Sequence, residues 1–500
     1  MHSVLHIIFE ADFGPIPGFW LLVLADVLAW TSVPSVLIKR SGRPVSALSW
    51  MLGLLFLPYI GFIFWWLIGV ERLERRRRKR RSSTEEFEES IEDTPSEEVE
   101  QTVPPALSAF SPILPGGLFR SHGPLRMSLP TDENNIDLLV DGQEGFGAMR
   151  QMIEQADHYV HLLFYIWQFD ETGSWLADLL VEKAEEGVEV RVLVDPYGSP
   201  KFRGNYAERI EQAGGKVGYF LPPRFFAWRP TFNFRNHRKL IVCDGRDAWT
   251  GGMNVGVEYE KLWHDLGMRV YGPAVRRFHE VFLDDWYFAT GENLAHEEYL
   301  SMRSRDATET TLDETDATNA SCAVLASGPD HERSVMHDAF YHAISEAEQR
   351  LWIITPYFIP GADILKALEA AVHRDVDVRL LLPLDGDVPF VRYASRSYYS
   401  MLLSQGVRIW EYQPRVMHAK GMIVDDRFSF VGSANVDVRS FEINFEIGAF
   451  VASRQLTQRL EEMFHRDFEV SEEILLDDME KIGPWARFRN AIAHLASPML

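Results

Sequence analysis

The sequence predicts an α/β protein made of two related halves that follow a pair of apolar helices. Three observations lead to this fold class: a short stretch with histidine and lysine occurs twice, a similar order of strands and helices surrounds each copy, and two apolar runs precede residue 71. Strands that alternate with helices are typical of α/β domains. The two copies start 181 residues apart, which is longer than a solenoid repeat and indicates duplicated domains.

The two apolar runs are expected to anchor the protein in a membrane. They cover residues 18–38 and 47–70, and a membrane-spanning helix needs roughly 20 apolar residues. Asp26 weakens the first run, because a carboxylate near the bilayer centre costs roughly 2.5–3.5 kcal/mol on insertion scales. We therefore expect an N-terminal hairpin of two transmembrane helices within residues 1–70, with two buried core helices as the alternative.

Charged residues around these runs predict an orientation. Eight Lys and Arg residues lie between positions 72 and 81, whereas the connection between the two runs holds three. Basic flanks of membrane-spanning helices stay on the cytoplasmic side. We expect a multi-pass protein of the inner (cytoplasmic) cell membrane, with its globular part on the cytoplasmic side.

Residues 71–125 are expected to form a flexible linker. The basic start of this segment is followed by an acidic stretch after Ser82 and then by a Pro-rich one. Segments of this composition bury too little apolar surface to offset the entropy lost on ordering. The sequence therefore predicts a solvated spacer between the anchor and the globular part.

Two halves with the same predicted order of elements follow the linker, and we place them at residues 126–310 and 311–500. Each half begins with a strand, a helix, a strand, a helix and a strand. The predicted elements are 137–140, 146–157, 160–167, 173–186 and 189–194 in the first half, and 322–326, 334–348, 351–355, 362–373 and 376–382 in the second. The boundary falls in the polar segment 302–320.

The repeated stretch supplies the candidate site residues. Each copy has a His, a Lys two positions later and an Asp five positions after that, and an Asn and a carboxylate stand 17 and 28 positions after the His. The residues are His237, Lys239, Asp244, Asn254 and Asp265 in the first copy, and His418, Lys420, Asp425, Asn435 and Glu446 in the second. Two copies of a five-point spacing are hard to obtain by chance.

The residue types in this stretch suggest phosphate chemistry. Side chains two positions apart on a strand share a face, so each His and its Lys point the same way, whereas Asp244 and Asp425 point away and are better placed to brace the site. Lys and Asn beside His suit a phosphate group, whose oxygens gain charge during transfer. Metal binding is the competing interpretation, but Lys is not a usual ligand and no Cys or further His stands at metal spacing. We expect neither a metal nor another cofactor.

Composition narrows the possible functions. At 500 residues the chain is long enough for two or three domains. Its formal net charge of −23 argues against a nucleic-acid partner, because phosphate backbones are bound by basic surfaces. Cys243 and Cys322 are far apart in the chain and provide no disulfide framework.

The motifs and their flanks resemble the phospholipase D superfamily and, within it, the cardiolipin synthase branch. The flanks that carry the resemblance are 250–254 (TGGMN), 355–360 (TPYFIP) and 435–441 (NVDVRSF). The resemblance extends from about residue 126 to the end of the sequence. It implies two phospholipase D-like α/β domains packed as a pseudo-twofold pair, with both motif histidines at one phosphate.

The resemblance also implies a role for each repeated residue. The His, Lys and Asp residues form the catalytic set, the two Asn residues bind the substrate, and the late carboxylates orient the histidines. We expect each carboxylate to support the histidine of its own copy. On that basis the longer Glu446 and the hydroxyl of Ser433 favour His418 as the proton donor, which leaves His237 as the nucleophile.

For function, the resemblance implies a membrane-bound phosphatidyltransferase of the cardiolipin synthase type. Its partners would be the lipid bilayer and phospholipid substrates, two phosphatidylglycerol molecules giving cardiolipin and glycerol through a phosphohistidine. A phospholipase D-type hydrolase is the first alternative, and a non-enzymatic membrane scaffold is the second. The oligomeric state stays open, and the tail 484–500 is expected either to lie on a membrane surface or to pack against the second half.

Overall fold

The computed structural model describes residues 17–40, 44–66, 73–92, 105–122, 128–222, 234–300, 319–330 and 334–496. The described residues divide into two compact units, one that ends at Lys79 and one that begins at Arg80. The boundary expected between the two halves, near residue 310, lies outside the described residues.

The described residues of the N-terminal unit are helical. Its helices are Pro17–Lys39, Pro44–Phe56 and Pro58–Phe64. The run 47–70, expected to be one helix, is divided at Leu57, whose backbone angles (φ −133°, ψ 62°) leave the helical region directly before Pro58. Proline disfavours the helical conformation at the residue before it and has no N–H to donate, which explains the break. Within the described residues no helix is both long and apolar enough to cross a membrane, and residues 67–70 lie outside them.

The described parts of the segment 71–125 are helical, which differs from the flexible linker expected there. The helices are Leu73–Glu92, Pro105–Phe110 and Gly116–His122. In the first of these, Arg80, Thr84 and Phe87 lie three or four residues apart and are all buried, because such spacings share one helix face. The expectation rested on average composition, which conceals this narrow buried face within a strongly charged sequence.

The larger unit is built on one sheet of fifteen strands. The strands of this unit are, in chain order, β1 Thr131–Val140, β2 Tyr159–Phe164, β3 Glu189–Val194, β4 Lys216–Tyr219, β5 Leu240–Cys243, β6 Asp247–Gly251, β7 Leu266–Tyr271, β8 Ala320–Ser327, β9 Arg350–Ile354, β10 Phe358–Ile359, β11 Asp377–Pro383, β12 Arg408–Tyr412, β13 Gly421–Val424, β14 Phe428–Gly432, β15 Val436–Asp437, β16 Glu446–Ala452 and β17 Ser471–Ile474. Two of them, β10 and β15, form a separate parallel pair.

Both halves of the large sheet have the same strand order. The first half runs β1-β7-β6-β5-β2-β3-β4, and the second runs β8-β16-β14-β13-β9-β11-β12 with β17 added at its outer edge. The halves meet edge to edge where β1 pairs antiparallel with β8. In each half three strands are parallel, β2-β3-β4 and β9-β11-β12. The prediction of two related α/β halves is confirmed.

Besides the helices of the segment 71–125, further helices of the larger unit cover the sheet. They are Asp141–Glu154, Glu171–Glu185, Glu208–Gln212, Ala274–Thr290, Glu297–Leu300, Val335–Glu346, Ala362–Val372, Pro389–Arg396, Tyr399–Gln405, Val438–Glu442, Arg454–Glu469, Leu476–Glu480 and Pro484–Ala496, with short π-helical turns at Arg203–Ala207 and Glu258–Leu262. The strands β2 and β7 are buried along their whole length. Continuous burial of this kind requires cover on both faces of the sheet.

The C-terminal helix Pro484–Ala496 packs with one face and exposes the other. On the packed side, the Arg489 guanidinium carbon lies 3.7 Å from the ring centroid of Tyr393. On the outer side, Trp485 and Leu495 are 81% and 80% exposed. Packing against the second half, one of the two alternatives expected for the tail, is therefore what this helix does, and it leaves an apolar face uncovered.

Candidate active site

Two short backbone contacts between the halves build the site. The N–H of His237 donates to the Phe445 carbonyl at 2.9 Å, and the N–H of His418 donates to the His264 carbonyl at 2.7 Å. Phe445 and His264 are the residues immediately before the two late carboxylates. Each motif histidine is thereby placed beside a strand that belongs to the other half.

Each histidine is consequently supported by the carboxylate of the other half. Glu446 Oε2 lies 3.0 Å from His237 Nδ1, and Asp265 Oδ2 lies 2.7 Å from His418 Nδ1. The expectation that each carboxylate supports the histidine of its own copy is wrong. The spacing along one copy shows which side chains recur. When two symmetric halves face each other, that spacing is equally compatible with a carboxylate that contacts the histidine of its own half and with one that contacts the histidine of the other half.

The two carboxylates differ in their surroundings. Glu446 takes hydrogen bonds from the hydroxyls of Ser433 and Ser440, the latter at 3.0 Å, and from the Asn444 amide at 3.3 Å. Asp265 takes one from the backbone N–H of the next residue at 2.8 Å. Glu446 therefore shares its negative charge among more donors than Asp265 does.

Gly252 and Ser433 stand at equivalent positions of the two copies, and each fits the carboxylate beside it. A Cβ atom at Gly252 would lie 2.1 Å from Asp265 Oδ1, so a side chain at that position would displace the Asp265 carboxylate. In the second copy, the Ser433 hydroxyl instead donates to Glu446. The difference in carboxylate length between the copies is thus matched by the residue that packs on it.

The motif lysines are buried beside the histidines. Lys239 Nζ donates to the His237 carbonyl at 2.6 Å, while Lys420 Nζ contacts the His418 carbonyl and lies 2.8 Å from His418 Nδ1. Burial lowers the pKa of Lys239 to about 7 and that of Lys420 to about 8. Because an adjacent anion favours the charged form of an amine, a phosphate group bound here would stabilise the positive charge of both lysines.

The histidines favour the neutral form. Burial lowers the pKa of His237 to about 4 and also lowers the pKa of His418, although the neighbouring carboxylates act in the opposite direction. A carboxylate at Nδ1 fixes the tautomer and the ring orientation, which leaves Nε2 of each ring for chemistry. Within the described residues no three His, Cys, Asp or Glu side chains form a group suited to a metal ion.

The motif asparagines are buried and connected to the site through neighbours. Asn254 Oδ1 accepts the backbone N–H of Ile166 at 3.1 Å, and its side chain also bonds the Tyr259 hydroxyl. The Asn435 side chain donates to Asp437, whose pKa burial raises to about 6. Among the described residues no donor reaches Asn435 Oδ1. The two asparagines are therefore not equivalent, although their spacing from the histidines is the same.

The motif aspartates lie at the far ends of β5 and β13 from the histidines. Asp244 accepts the backbone N–H groups of residues 157–159 at 2.7–2.9 Å, and Asp425 accepts those of residues 348–350 at 2.7–3.3 Å. They brace the starts of β2 and β9, as strand parity indicates. Within the described residues no hydrogen bond joins either aspartate to a motif histidine, so neither is brought into the catalytic set.

Three aromatic side chains contact the histidines and were missed by motif spacing. The ring of Tyr165 lies 5.1 Å from that of His237, and the rings of Tyr259 and Trp263 lie 5.5 and 5.4 Å from that of His418, between centroids. Trp263 stands two positions before Asp265. Residues two positions apart in an extended segment point the same way, so this spacing could have predicted that Trp263 faces the site. The other two follow a strand end and a loop, where periodicity carries no information.

Two α/β halves that share one site, each supplying a histidine, a lysine and the carboxylate for the other half, define a phospholipase D-like protein. In agreement with this class, residues 149–286 and 340–468 match the family described as "Cardiolipin synthase, PLD-like domain".

Similar proteins narrow the class. The chain is 34% identical over 494 residues to a cardiolipin synthase of Halalkalibacterium halodurans, covering 97% of this chain and 95% of that one. It is 36% identical over 384 residues to cardiolipin synthase 2 of Bacillus anthracis, covering 76% and 72%. The chain belongs to the cardiolipin synthase family. Among solved structures, the phosphatidylserine synthase of Haemophilus influenzae Rd KW20 aligns with a TM-score of 0.56 at 14% identity, over 73% of this chain and 95% of that one, which shows a shared fold.

Proposed function

We propose that this protein condenses two phosphatidylglycerol molecules to cardiolipin and glycerol through a phosphohistidine intermediate. Its family makes it a phosphatidyltransferase of the cardiolipin synthase type. The observation that carries the proposed mechanism is the crossed pairing, which supplies two imidazoles, each held at Nδ1 by a carboxylate. A displacement in two steps at one phosphorus needs one such group as the nucleophile and one as the acid and base.

In the first step, Nε2 of neutral His237 attacks the phosphorus of the donor lipid. A P–N bond forms and the P–O bond to the headgroup glycerol breaks. With the substrate bound, the phosphate anion and Asp265 favour the charged form of His418, and protonated His418 gives its Nε2 proton to the departing oxygen, so glycerol leaves as a neutral alcohol. The phosphatidyl group is then held on His237, and His418 is a neutral base.

In the second step, His418 takes the proton from a headgroup hydroxyl of the acceptor phosphatidylglycerol. That oxygen attacks phosphorus, the P–N bond breaks, and cardiolipin leaves with His237 neutral again. Throughout both steps Lys239 and Lys420 hold the non-bridging oxygens, whose negative charge grows at the transition state. The proton balance closes because His418 ends the cycle protonated, as it began.

The assignment of the two histidines follows from their partners. Burial lowers the pKa of His237 to about 4, which keeps it free to attack, and its Glu446 partner divides its charge among other donors. Asp265 has fewer competing donors and supports an imidazolium at His418 better. The sequence argument reached the same assignment from a premise that the crossed pairing overturns, because Glu446 and Ser433 lie beside His237.

A product analysis tests the reaction. Purified full-length protein in phosphatidylglycerol vesicles is expected to give cardiolipin and glycerol in equal amounts by mass spectrometry. His237→Gln and His418→Gln should abolish turnover, while His158→Gln, a change at an exposed histidine, should keep it. Phosphatidic acid as the main product would identify a hydrolase instead, and unchanged lipid would favour a scaffold.

We further propose that a transmembrane hairpin, made from the runs 18–38 and 47–70, anchors the protein in the inner membrane with its larger unit in the cytoplasm. The eight basic residues that follow the second run support this orientation. The exposed Trp485 and Leu495 support contact with a lipid surface, where apolar helix faces are stable. A reporter fused after Leu500 should behave as cytoplasmic, and a periplasmic signal would reverse the proposal.

A further inference from the structure

Arg80 is a buried charge that lies before both repeats. It belongs to the helix Leu73–Glu92 and is 2% exposed. Its guanidinium bonds both carboxylate oxygens of Asp284, one of them at 3.1 Å, and donates to Asp285 Oδ1 at 2.7 Å. Asp330 Oδ2 lies 3.9 Å from its Nε. A buried guanidinium surrounded by carboxylates is costly to disturb, because removing it leaves uncompensated charges.

Asp285 connects Arg80 to the first histidine motif. Its other oxygen, Oδ2, accepts hydrogen bonds from Arg238 Nη1 at 2.7 Å and from Asn236 Nδ2 at 3.0 Å. Asn236 and Arg238 are the two chain neighbours of His237. One fully buried carboxylate therefore holds the chain on both sides of His237.

Arg238 extends the same network to the backbone of Glu446, the residue whose carboxylate supports His237. Its Nε donates to the backbone carbonyl of Glu446 at 3.2 Å, and its Nη2 donates to the carbonyl of Ser327 at 3.0 Å. The Arg238 side chain is itself fully buried. Arg80 contacts Asp285, and Asp285 contacts both chain neighbours of His237. These contacts are buried, so solvent does not screen them.

The contacts around the second histidine are built differently. The second motif has an alanine in place of Arg238. His264, whose carbonyl accepts the N–H of His418, makes the ion pairs on this side: its Nδ1 lies 2.6 Å from Asp141 Oδ1 and its Nε2 lies 2.9 Å from Asp467 Oδ2. In the described residues the network that starts at Arg80 therefore reaches the first motif histidine and not the second.

We propose that Arg80 is a positioning residue for phosphatidyl transfer, which fixes Asp285 and, through Arg238, holds His237 and Glu446 in their reactive arrangement. The inference rests on the proposed function for its activity readout. It makes the helix Leu73–Glu92 a functional part of the site. Removing outer partners of metal ligands costs 10–100-fold, and by analogy we expect a loss of roughly 10–100-fold here.

The activity test compares Arg80→Met with Arg81→Met in the full-length protein. Arg81 is 51% exposed and pairs with Glu85 at 3.5 Å, so this control removes a cation from the same helix without touching the network. Arg80→Met should lower kcat for glycerol release by roughly 10–100-fold with little change in KM. Arg81→Met should match the wild type, and Arg80→Lys should recover part of the loss.

A double variant separates positioning from stability. Arg80→Met leaves buried carboxylates uncompensated and will also lower the melting temperature. Adding Asp284→Asn removes one of those charges and should restore the melting temperature, but not kcat, because Asp285 still lacks Arg80. Recovery of kcat together with the melting temperature would overturn the proposal in favour of a purely structural role.

A ¹³C NMR spectrum of the histidines tests positioning by Arg80 independently of the reaction. In protein labelled with ¹³C at histidine Cε1, the His237 and His418 signals are assigned from the two His→Gln variants. Arg80→Met should move the His237 signal and leave the His418 signal in place, whereas Arg81→Met should move neither. An unmoved His237 signal refutes positioning by Arg80, while wild-type protein that releases no glycerol counts against the proposed function instead.

Discussion

Replacing Asp265 by Asn tests the crossed arrangement, because Asp265 lies in the first copy and contacts the histidine of the second. The contact with His418 Nδ1 is 2.7 Å long and joins a carboxylate to a ring that becomes charged in the proposed cycle. A hydrogen bond to a charged group contributes roughly 1.5–3 kcal/mol. At about 1.36 kcal/mol for each factor of ten, Asp265→Asn should slow a step that needs protonated His418 by roughly 10- to 150-fold.

The assay measures leaving-group release in a single turnover with two donors. One donor is phosphatidylglycerol, whose glycerol needs a proton to depart, and the other carries a nitrophenyl group that needs little protonation. Asp265→Asn should slow release of glycerol and spare release of nitrophenol. Glu446→Gln, the matched change beside the proposed nucleophile His237, should slow both.

Titration of the histidines tests the crossed pairing without assuming which histidine is the nucleophile. Asp265 raises the pKa of His418 against the effect of burial, so Asp265→Asn should lower the pKa of His418 further and leave that of His237 in place. The ¹³C signals of the two rings, followed against pH, give this directly. A shift of the His237 pKa with an unchanged His418 pKa would refute the crossed pairing.

His264 should make stability depend on pH: burial lowers its pKa, but hydrogen bonds with Asp141 and Asp467 outweigh this and raise it to about 9, against about 6.5 in an unfolded chain. The stability that His264 contributes, about 3 kcal/mol at most, is complete below pH ~6.5 and is lost as pH rises through about 9. The melting temperature should therefore fall over that range. An equal fall in His264→Gln would contradict this role of His264. Asp244→Ala removes the acceptor of three backbone N–H groups and should lower the free energy of unfolding by roughly 2–4 kcal/mol with kcat unchanged in the cold. EDTA should leave turnover intact, since lysines supply the positive charge; loss of turnover that a divalent ion restores would count against the mechanism.

The α/β fold class and the placement of each motif His beside its Lys were predictable because they depend on local patterns that occur twice. Alternation on β5 and β13 places each His and Lys on one face, and the same parity turns Asp244 and Asp425 away, where they brace neighbouring strands. The order of strands also repeats. A pattern seen once would have been ambiguous. Its recurrence at constant spacing identified the strands that carry the motifs and the face on which each His and Lys lies.

The partners within the site were not predictable, because they depend on contacts between residues about 150 to 210 positions apart that no local pattern records. The helix Leu73–Glu92 was missed for a related reason. Its composition resembles that of a solvated spacer. Its buried face can be recognised only from the contacts that Arg80 makes with Asp284 and Asp285, about 200 positions later in the sequence. Tyr165 and Tyr259 stand outside any repeated spacing.

The crossed pairing changes what the duplication means. If each half had supported its own histidine, the two halves would be independent half-sites that merely face one phosphate. Instead, the imidazole of one half obtains its tautomer and its ring orientation from the carboxylate of the other, through backbone contacts at Phe445 and His264. Neither histidine is prepared for chemistry until the halves have met. An isolated half would therefore hold its histidine and lysine without the carboxylate that orients the imidazole.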